Sequence, residues 1–191
     1  MGNKQIKKNK KIKRRTDEDA IEKVAKKEYK IIFIGESGIG AKTTLINRIM
    51  DIDFNDNIES TIKVNSFTKE VNVDNNKKLT LFIYDTPGGD LKTLVNWFLK
   101  DVDAVVLGYD ITDKTTFEEI EHYWYPKIKD NKLVYLIGNK IDLNDRRIVK
   151  KNIASNFAKA KKLKFFEISC KTKEGLDDFY KDLINNLLEL E

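Results

Sequence analysis

The 191-residue sequence predicts an α/β domain built on a doubly wound, mostly parallel six-stranded sheet with one antiparallel edge hairpin and five helices. Three observations predict it. Short apolar, β-branched runs alternate with stretches of helical spacing, and that alternation implies parallel strands joined by helical crossovers. Two of the runs are separated by little more than Asp74-Asn75-Asn76, too short for a crossover, so those two strands should form a hairpin. At 40% hydrophobic and 35% charged the chain is globular, and it never approaches the ~18 consecutive apolar residues of a membrane span.

The elements follow in order. Residues 1–30 carry a net charge of +7 and the remainder −2, so the basicity belongs to an N-terminal arm, placed at 1–28. Residues 1–15 hold eight Lys or Arg and no acid; such density repels itself and predicts disorder. Over 16–28, Thr16 followed by Asp17, Glu18 and Asp19 reads as a helix start, and Ile21, Val24, Ala25 and Glu28 fall on helical spacing. A short helix is expected there, with the folded domain spanning 29–191. A strand over Lys30–Ile34 leads into a glycine-rich loop and the helical run from Thr43 to Met50. Strands are expected at Lys63–Val73, Leu79–Tyr84, Val102–Tyr109, Leu133–Gly138 and Lys164–Ser169. Helices are expected around 90–100, 114–129, 146–162 and 175–190. The aromatics Trp97, Phe98, Tyr123, Trp124 and Tyr125 read as core and helix-contact residues, and His122 as a surface position. A single cysteine, Cys170, and a single histidine exclude a disulfide framework and His- or Cys-based metal chemistry, and fit a reducing compartment.

In a doubly wound sheet, ligands sit at the C-terminal ends of the strands, and four motifs lie there. GESGIGAKTT, Gly35 to Thr44, follows the first strand and opens a helix. A phosphate loop needs permissive glycines (Gly35, Gly38, Gly40) so that backbone N–H groups can wrap phosphates, together with a lysine (Lys42) and a metal-binding hydroxyl (Thr43). The spacing departs from G-x-x-x-x-G-K-[ST] by one residue, most simply an inserted Ala41 between the last glycine and the lysine. DTPGG, Asp85 to Gly89, places an acid suited to Mg²⁺ at a strand end and a glycine amide, Gly88, suited to a γ-phosphate. NKID, Asn139 to Asp142, supplies a carboxylate able to accept from the N1–H and amine of guanine, a pairing adenine cannot offer. Asn139 can hold the base edge and the loop, and the Lys140 stem can cover the base face. ISCKT, Ile168 to Thr172, can present the Cys170 amide to the guanine O6.

The order and spacing of these motifs resemble the Ras superfamily of small GTPases, and the wording resembles its Rab branch. STIKVNSFTKEV (60–71), YDITDKTTFEEI (109–120) and IGNKIDL (137–143) carry the likeness, which covers roughly residues 29–190. The resemblance implies a P-loop G domain that binds GTP or GDP with Mg²⁺ and hydrolyses GTP. It implies a nucleotide loop formed by Gly35, Glu36, Ser37, Gly38, Ile39, Gly40, Ala41, Lys42, Thr43 and Thr44, and a base loop that includes Ser169, Cys170 and Lys171. Thr61 becomes the switch threonine for Mg²⁺ and the γ-phosphate, and Phe54 the aromatic edge-on to guanine. Asp85 reaches Mg²⁺ through water, and Gly88 holds the γ-phosphate. Protein effectors and regulators are implied along the switch regions 54–66 and 85–98.

Departures from the family shape the expected mechanism. Where the family reads D-T-A-G-Q-E, this chain has Asp85-Thr86-Pro87-Gly88-Gly89-Asp90, so the water-orienting glutamine is replaced by Gly89. Intrinsic hydrolysis is therefore expected to be very slow, and the alternative is a non-hydrolysing nucleotide-binding adaptor. Lys63, Asn65 and Ser66 replace the usual Gly, Asp and Phe of Rab effector strands, so the resemblance names no effector. LLELE (187–191) has none of the prenylated cysteines of Rab tails, which leaves open a truncated piece or a protein without that anchor. The basic residues of 4–15 could touch an anionic membrane. Nucleic acid is disfavoured because no aromatic is interleaved with them. The expected setting is cytoplasmic, peripheral to endomembranes.

Overall fold

The computed structural model describes residues 25–35, 41–57, 61–74, 77–87, 97–128 and 133–190. Strands β1 (Ala25–Ile34), β2 (Asn65–Asp74), β3 (Lys77–Asp85), β4 (Ala104–Asp110), β5 (Leu133–Asn139) and β6 (Lys164–Glu167) form one sheet in the order β2-β3-β1-β4-β5-β6. The β2–β3 pair is antiparallel and every other pairing is parallel. Five α-helices lie among the described residues: α1 (Ala41–Ile49), α2 (Lys114–Glu119), α3 (Tyr125–Ile128), α4 (Lys151–Lys161) and α5 (Leu176–Leu188). A π-helical turn, Ile120–Trp124, joins α2 to α3, so the helix expected over 114–129 is continuous but locally widened. The Asp113 side chain caps α2 by accepting from the Thr115 amide at 2.9 Å.

Alternation along the strands sends successive side chains to opposite faces. Tyr29, Ile31 and Phe33 of β1 join Leu79, Leu81 and Ile83 of β3 under Leu45 and Ile46 of α1 and Phe179, Leu183 and Leu187 of α5. Ile32 and Ile34 point the other way, into a layer with Val105, Leu107, Phe117, Ile120, Trp124 and Ala154. β4 and β5 are buried along their whole length, as central parallel strands covered on both faces must be. Their C-terminal ends, with those of β1, β3 and β6, form the rim at which ligands of doubly wound sheets sit.

Four expectations change. The helix placed over 16–28 fails at Ala25–Glu28, which are strand: these residues pair with Lys77–Thr80 of β3, and that long-range pairing overrides local helical spacing. Residues 1–24 lie outside the described residues. The helix expected from 146 begins at Lys151, because Ile148 and Val149 give their amides to the Ile111 carbonyl at 2.8 and 2.9 Å. Before it, Ile141–Arg146 forms a 3₁₀ turn. Trp97 is 77% exposed, whereas Trp124 is fully buried and Phe98 packs on the core. Most of the helix expected over 90–100, residues 90–96, lies outside the described residues; Leu99–Asp101 is 3₁₀.

The fully buried Phe179 contacts the rings of Tyr135 and Phe166 at centroid distances of 5.4 and 5.9 Å. Phe179→Ala should lower unfolding free energy by about 3–5 kcal/mol in a urea titration, the usual loss for an aromatic removed from a packed core.

Candidate functional site

The rim at the ends of β1 and β3 brings three oxygens together. Thr43, in the first turn of α1, donates its hydroxyl to Asp85 Oδ2 at 2.7 Å. Thr61 donates to the same oxygen at 3.2 Å, and the two threonine hydroxyls are 3.1 Å apart. Asp85 is fully buried, and its second oxygen, Oδ1, has no hydrogen-bond partner among the described residues. Burial raises its pKa above the ordinary carboxylate value, opposed by the Thr43 hydrogen bond, the Lys42 charge and the Thr61 hydrogen bond. A buried, half-satisfied carboxylate beside two hydroxyls fits Mg²⁺, which takes oxygen ligands, keeps several waters and needs few protein groups. No cluster of three or more His, Cys, Asp or Glu gathers among the described residues, so these oxygens form a sparse site and not an all-protein cage.

The surrounding backbone is held for this arrangement. Thr86 donates its hydroxyl to the Phe33 carbonyl at 2.7 Å, tying the end of β3 to β1. Gly35 lies against β4, where a Cβ would collide with the Gly108 carbonyl, so this position requires glycine. Lys42 is buried and donates to the Gly35 carbonyl at 2.8 Å, which keeps its ammonium at the end of β1. Ala41 opens α1, and Thr43 two residues on lies in reach of Asp85. Thr44 is buried behind them. Glu36, Ser37, Gly38, Ile39 and Gly40, with Gly88 and Gly89, lie outside the described residues.

A second cluster forms at the ends of β5 and β6. Asn139 accepts from the Lys140 amide at 2.8 Å and from the Cys170 amide at 3.1 Å, both at Oδ1. The Cys170 amide, expected to face a guanine O6, is thus engaged by Asn139. Ser169 donates to Asp142 Oδ1 at 2.6 Å and accepts from the amides of Lys171 and Thr172 at 3.2 and 3.0 Å. The carboxylate that sequence assigns to base selection is therefore aimed by the neighbouring loop. Phe54 lies with its ring centre 6.0 Å from the Lys171 ammonium, so the segment after α1 meets the loop after β6 there.

One residue missing from the sequence reading joins this cluster. Asp110, 4% exposed at the end of β4, accepts from the Thr112 amide and hydroxyl on Oδ1 and pairs with the Lys140 ammonium at 2.6 Å through Oδ2. It holds Lys140, whose backbone is left-handed at φ +71°, across the rim. Its only signal was an acid at a strand end inside YDITDK. Arg147 clamps the following turn, donating to both oxygens of the half-buried Glu167 at 2.6 and 3.2 Å and to Asn144 at 2.8 Å.

Cys170 is buried, and desolvation pushes its thiol up to about 12. It should be inert at neutral pH. Iodoacetamide at pH 7.5 should label the native protein at least ~100-fold more slowly than the urea-unfolded chain; equal rates would place the thiol outside this packed loop.

Comparison with known proteins agrees with the geometry. Residues 30–189 match the Ras family. The chain is 34% identical over 165 residues to Ras-related protein Rab-13 of Bos taurus, covering 84% of this chain and 80% of that one. It is 35% identical over 166 residues to Ras-related protein Rab-18-B of Danio rerio, covering 84% and 79%. It is 30% identical over 166 residues to Ras-related protein Rab-21 of Canis lupus familiaris, covering 84% and 73%. The chain belongs to the Ras superfamily of small GTPases, on its Rab-like side.

Proposed function

We propose that this chain is a GTP/GDP switch of vesicle traffic whose GTP-bound state is long-lived, hydrolysis being weak or dependent on a partner. The observation that carries the proposal is the convergence of Thr43, Thr61 and Asp85 on one buried point beside Lys42. In this reading Thr43 and Thr61 would hold Mg²⁺ directly and Asp85 would hold it through water; the ion would supply charge neutralisation to the nucleotide phosphates. Lys42 leaves the Gly35 carbonyl for a phosphate oxygen, and the glycine-rich residues 35–40 offer amides. Asp142 selects guanine, with Asn139, Lys140, Ser169, Cys170 and Lys171 shaping the base pocket and Phe54 closing its edge. Thr61 is the element that a γ-phosphate would hold in place, so loss of that phosphate frees switch I for partners to read.

Phosphoryl transfer of this kind relies on positioned groups and not on covalent chemistry. Gly89 offers no side chain to orient the attacking water, and Pro87, buried after β3, limits how the segment can move to compensate. Gly89 also favours a second reading, an adaptor that stays loaded without turnover. Titration calorimetry in Mg²⁺ should show GDP bound and ADP not, with the preference gone in Asp142→Ala; an unchanged preference contradicts the base assignment. In single-turnover assays Gly89→Gln should hydrolyse GTP at least ~10-fold faster than the parent chain. Equal rates over a day, with no turnover in either, would select the adaptor.

We also propose that residues 4–15, which contain eight basic side chains, contact anionic lipid at about 1 kcal/mol per residue near the surface, screened by salt. No described helix is long and apolar enough to cross a membrane. Co-sedimentation with phosphatidylserine vesicles should fall with salt and vanish when 1–24 are deleted; salt-independent binding contradicts it.

A further inference from the structure

Arg48, in the last turn of α1, is 8% exposed at its side chain and reaches two segments distant from each other in the chain. Its Nε donates to the Cys170 carbonyl at 2.7 Å and Nη2 to the Lys171 carbonyl at 3.3 Å. Nη1 donates to the Ile52 carbonyl at 3.4 Å and lies 3.6 Å from the Asp53 carboxylate, while the guanidinium carbon sits 5.7 Å from the centre of the Phe54 ring. Asp53 is fully solvated, so the ion pair contributes little, and the buried cation is matched chiefly by main-chain carbonyls. Those carbonyls belong to the base loop on one side and to the root of switch I on the other.

The helix end that carries Arg48 is itself fixed. Met50 and Ile52 donate to the Ile46 and Asn47 carbonyls, both at 2.8 Å, and Asp51 adopts left-handed backbone at φ +61°. Lys69 of β2 holds the reversal from the sheet side, bonding the Ile49 carbonyl and the Asp51 carboxylate. A planar guanidinium with five N–H donors can span both loops at once; a lysine ammonium, a single point of charge, cannot reproduce that fork.

We propose that Arg48 is a positioning residue that locks the base loop and the Phe54 segment into one unit, and so sets how long a guanine nucleotide stays bound. The inference rests on the guanine-nucleotide reading above. Its physical content is coupling: motion at the switch I root pulls on the Cys170 and Lys171 carbonyls through one side chain, and loosening either loop loosens the other. The other end of the same helix carries Lys42 and Thr43, so α1 links base, switch and phosphate regions.

The test is release of fluorescent GDP, chased with excess GDP in Mg²⁺, from full-length protein and from Arg48→Lys, Arg48→Gln, Phe54→Ala and the Arg48→Lys/Phe54→Ala pair. Each single Arg48 variant should release about 10- to 100-fold faster, the scale expected when charge-assisted hydrogen bonds are lost. Lysine should give no better retention than glutamine. The double variant should stay within about threefold of the faster single variant, because both changes break one unit. Release within about twofold of wild type in both Arg48 variants overturns the inference. So does a double variant whose acceleration is the product of the singles, since a residue that only supports the fold acts independently of Phe54. Folding is checked by circular dichroism, and Arg48→Gln takes the lysine variant's place in the pair if the latter is unfolded. Wild-type protein that fails to retain GDP contradicts the guanine-nucleotide reading itself.

Discussion

A buried carboxylate with only one of its two oxygens hydrogen-bonded among the described residues is the constraint around which this fold is arranged. Asp85 sits fully inside the protein at the end of β3, where ionisation costs desolvation energy, and its relief comes from Thr43, Lys42 and Thr61. None of these neighbours is local in sequence. Thr43 and Lys42 are delivered by α1, which follows β1, and Thr61 by the segment leading into β2. The site exists only because β1 and β3 lie side by side in parallel register, with Phe33 opposite Asp85 and Thr86 bonded back to Phe33. Carrying such a group unpaired would lower stability, and chains keep groups of this kind where function requires them.

The second half of the rim follows the same logic with stronger bonds. Each side chain of the base cluster is oriented by another: Asn139 by the Cys170 and Lys140 amides, Asp142 by Ser169, Lys140 by Asp110, and the intervening turn by the Arg147–Glu167 fork. Preorganisation of this kind reduces the ordering cost that a ligand must otherwise meet. Sheet order places the two clusters on neighbouring strand ends, β3-β1 for Thr43, Thr61 and Asp85 and β4-β5-β6 for Asp110, Asn139 and Ser169.

Much of this was legible in the sequence because strand ends and their loops are contiguous segments with strong composition. β4 and β5 read as apolar runs, and the acids after β3 and in the loop after β5 stood out against them. What was not legible depends on distant partners. Ala25–Glu28 carry helical spacing, and only pairing with Lys77–Thr80 makes them strand. The start of α4 is delayed because Ile148 and Val149 bond Ile111, far upstream. Trp97 carries the same aromatic signal as Trp124, yet one faces solvent and the other the core, and local pattern does not separate them. Arg48 reads as an ordinary helix-end arginine; its partners Cys170 and Lys171 lie more than a hundred residues away.

Guanine-nucleotide binding in the proposed form requires that Thr43, Thr61 and Asp85 serve as a magnesium site. The most direct measurement is the rate at which bound fluorescent GDP leaves the wild-type protein in millimolar Mg²⁺ and again after chelation with excess EDTA. Release should be at least ~10-fold faster once the ion is removed, because the phosphate charge is then left without a cation to neutralise it. Identical rates under the two conditions would contradict that requirement.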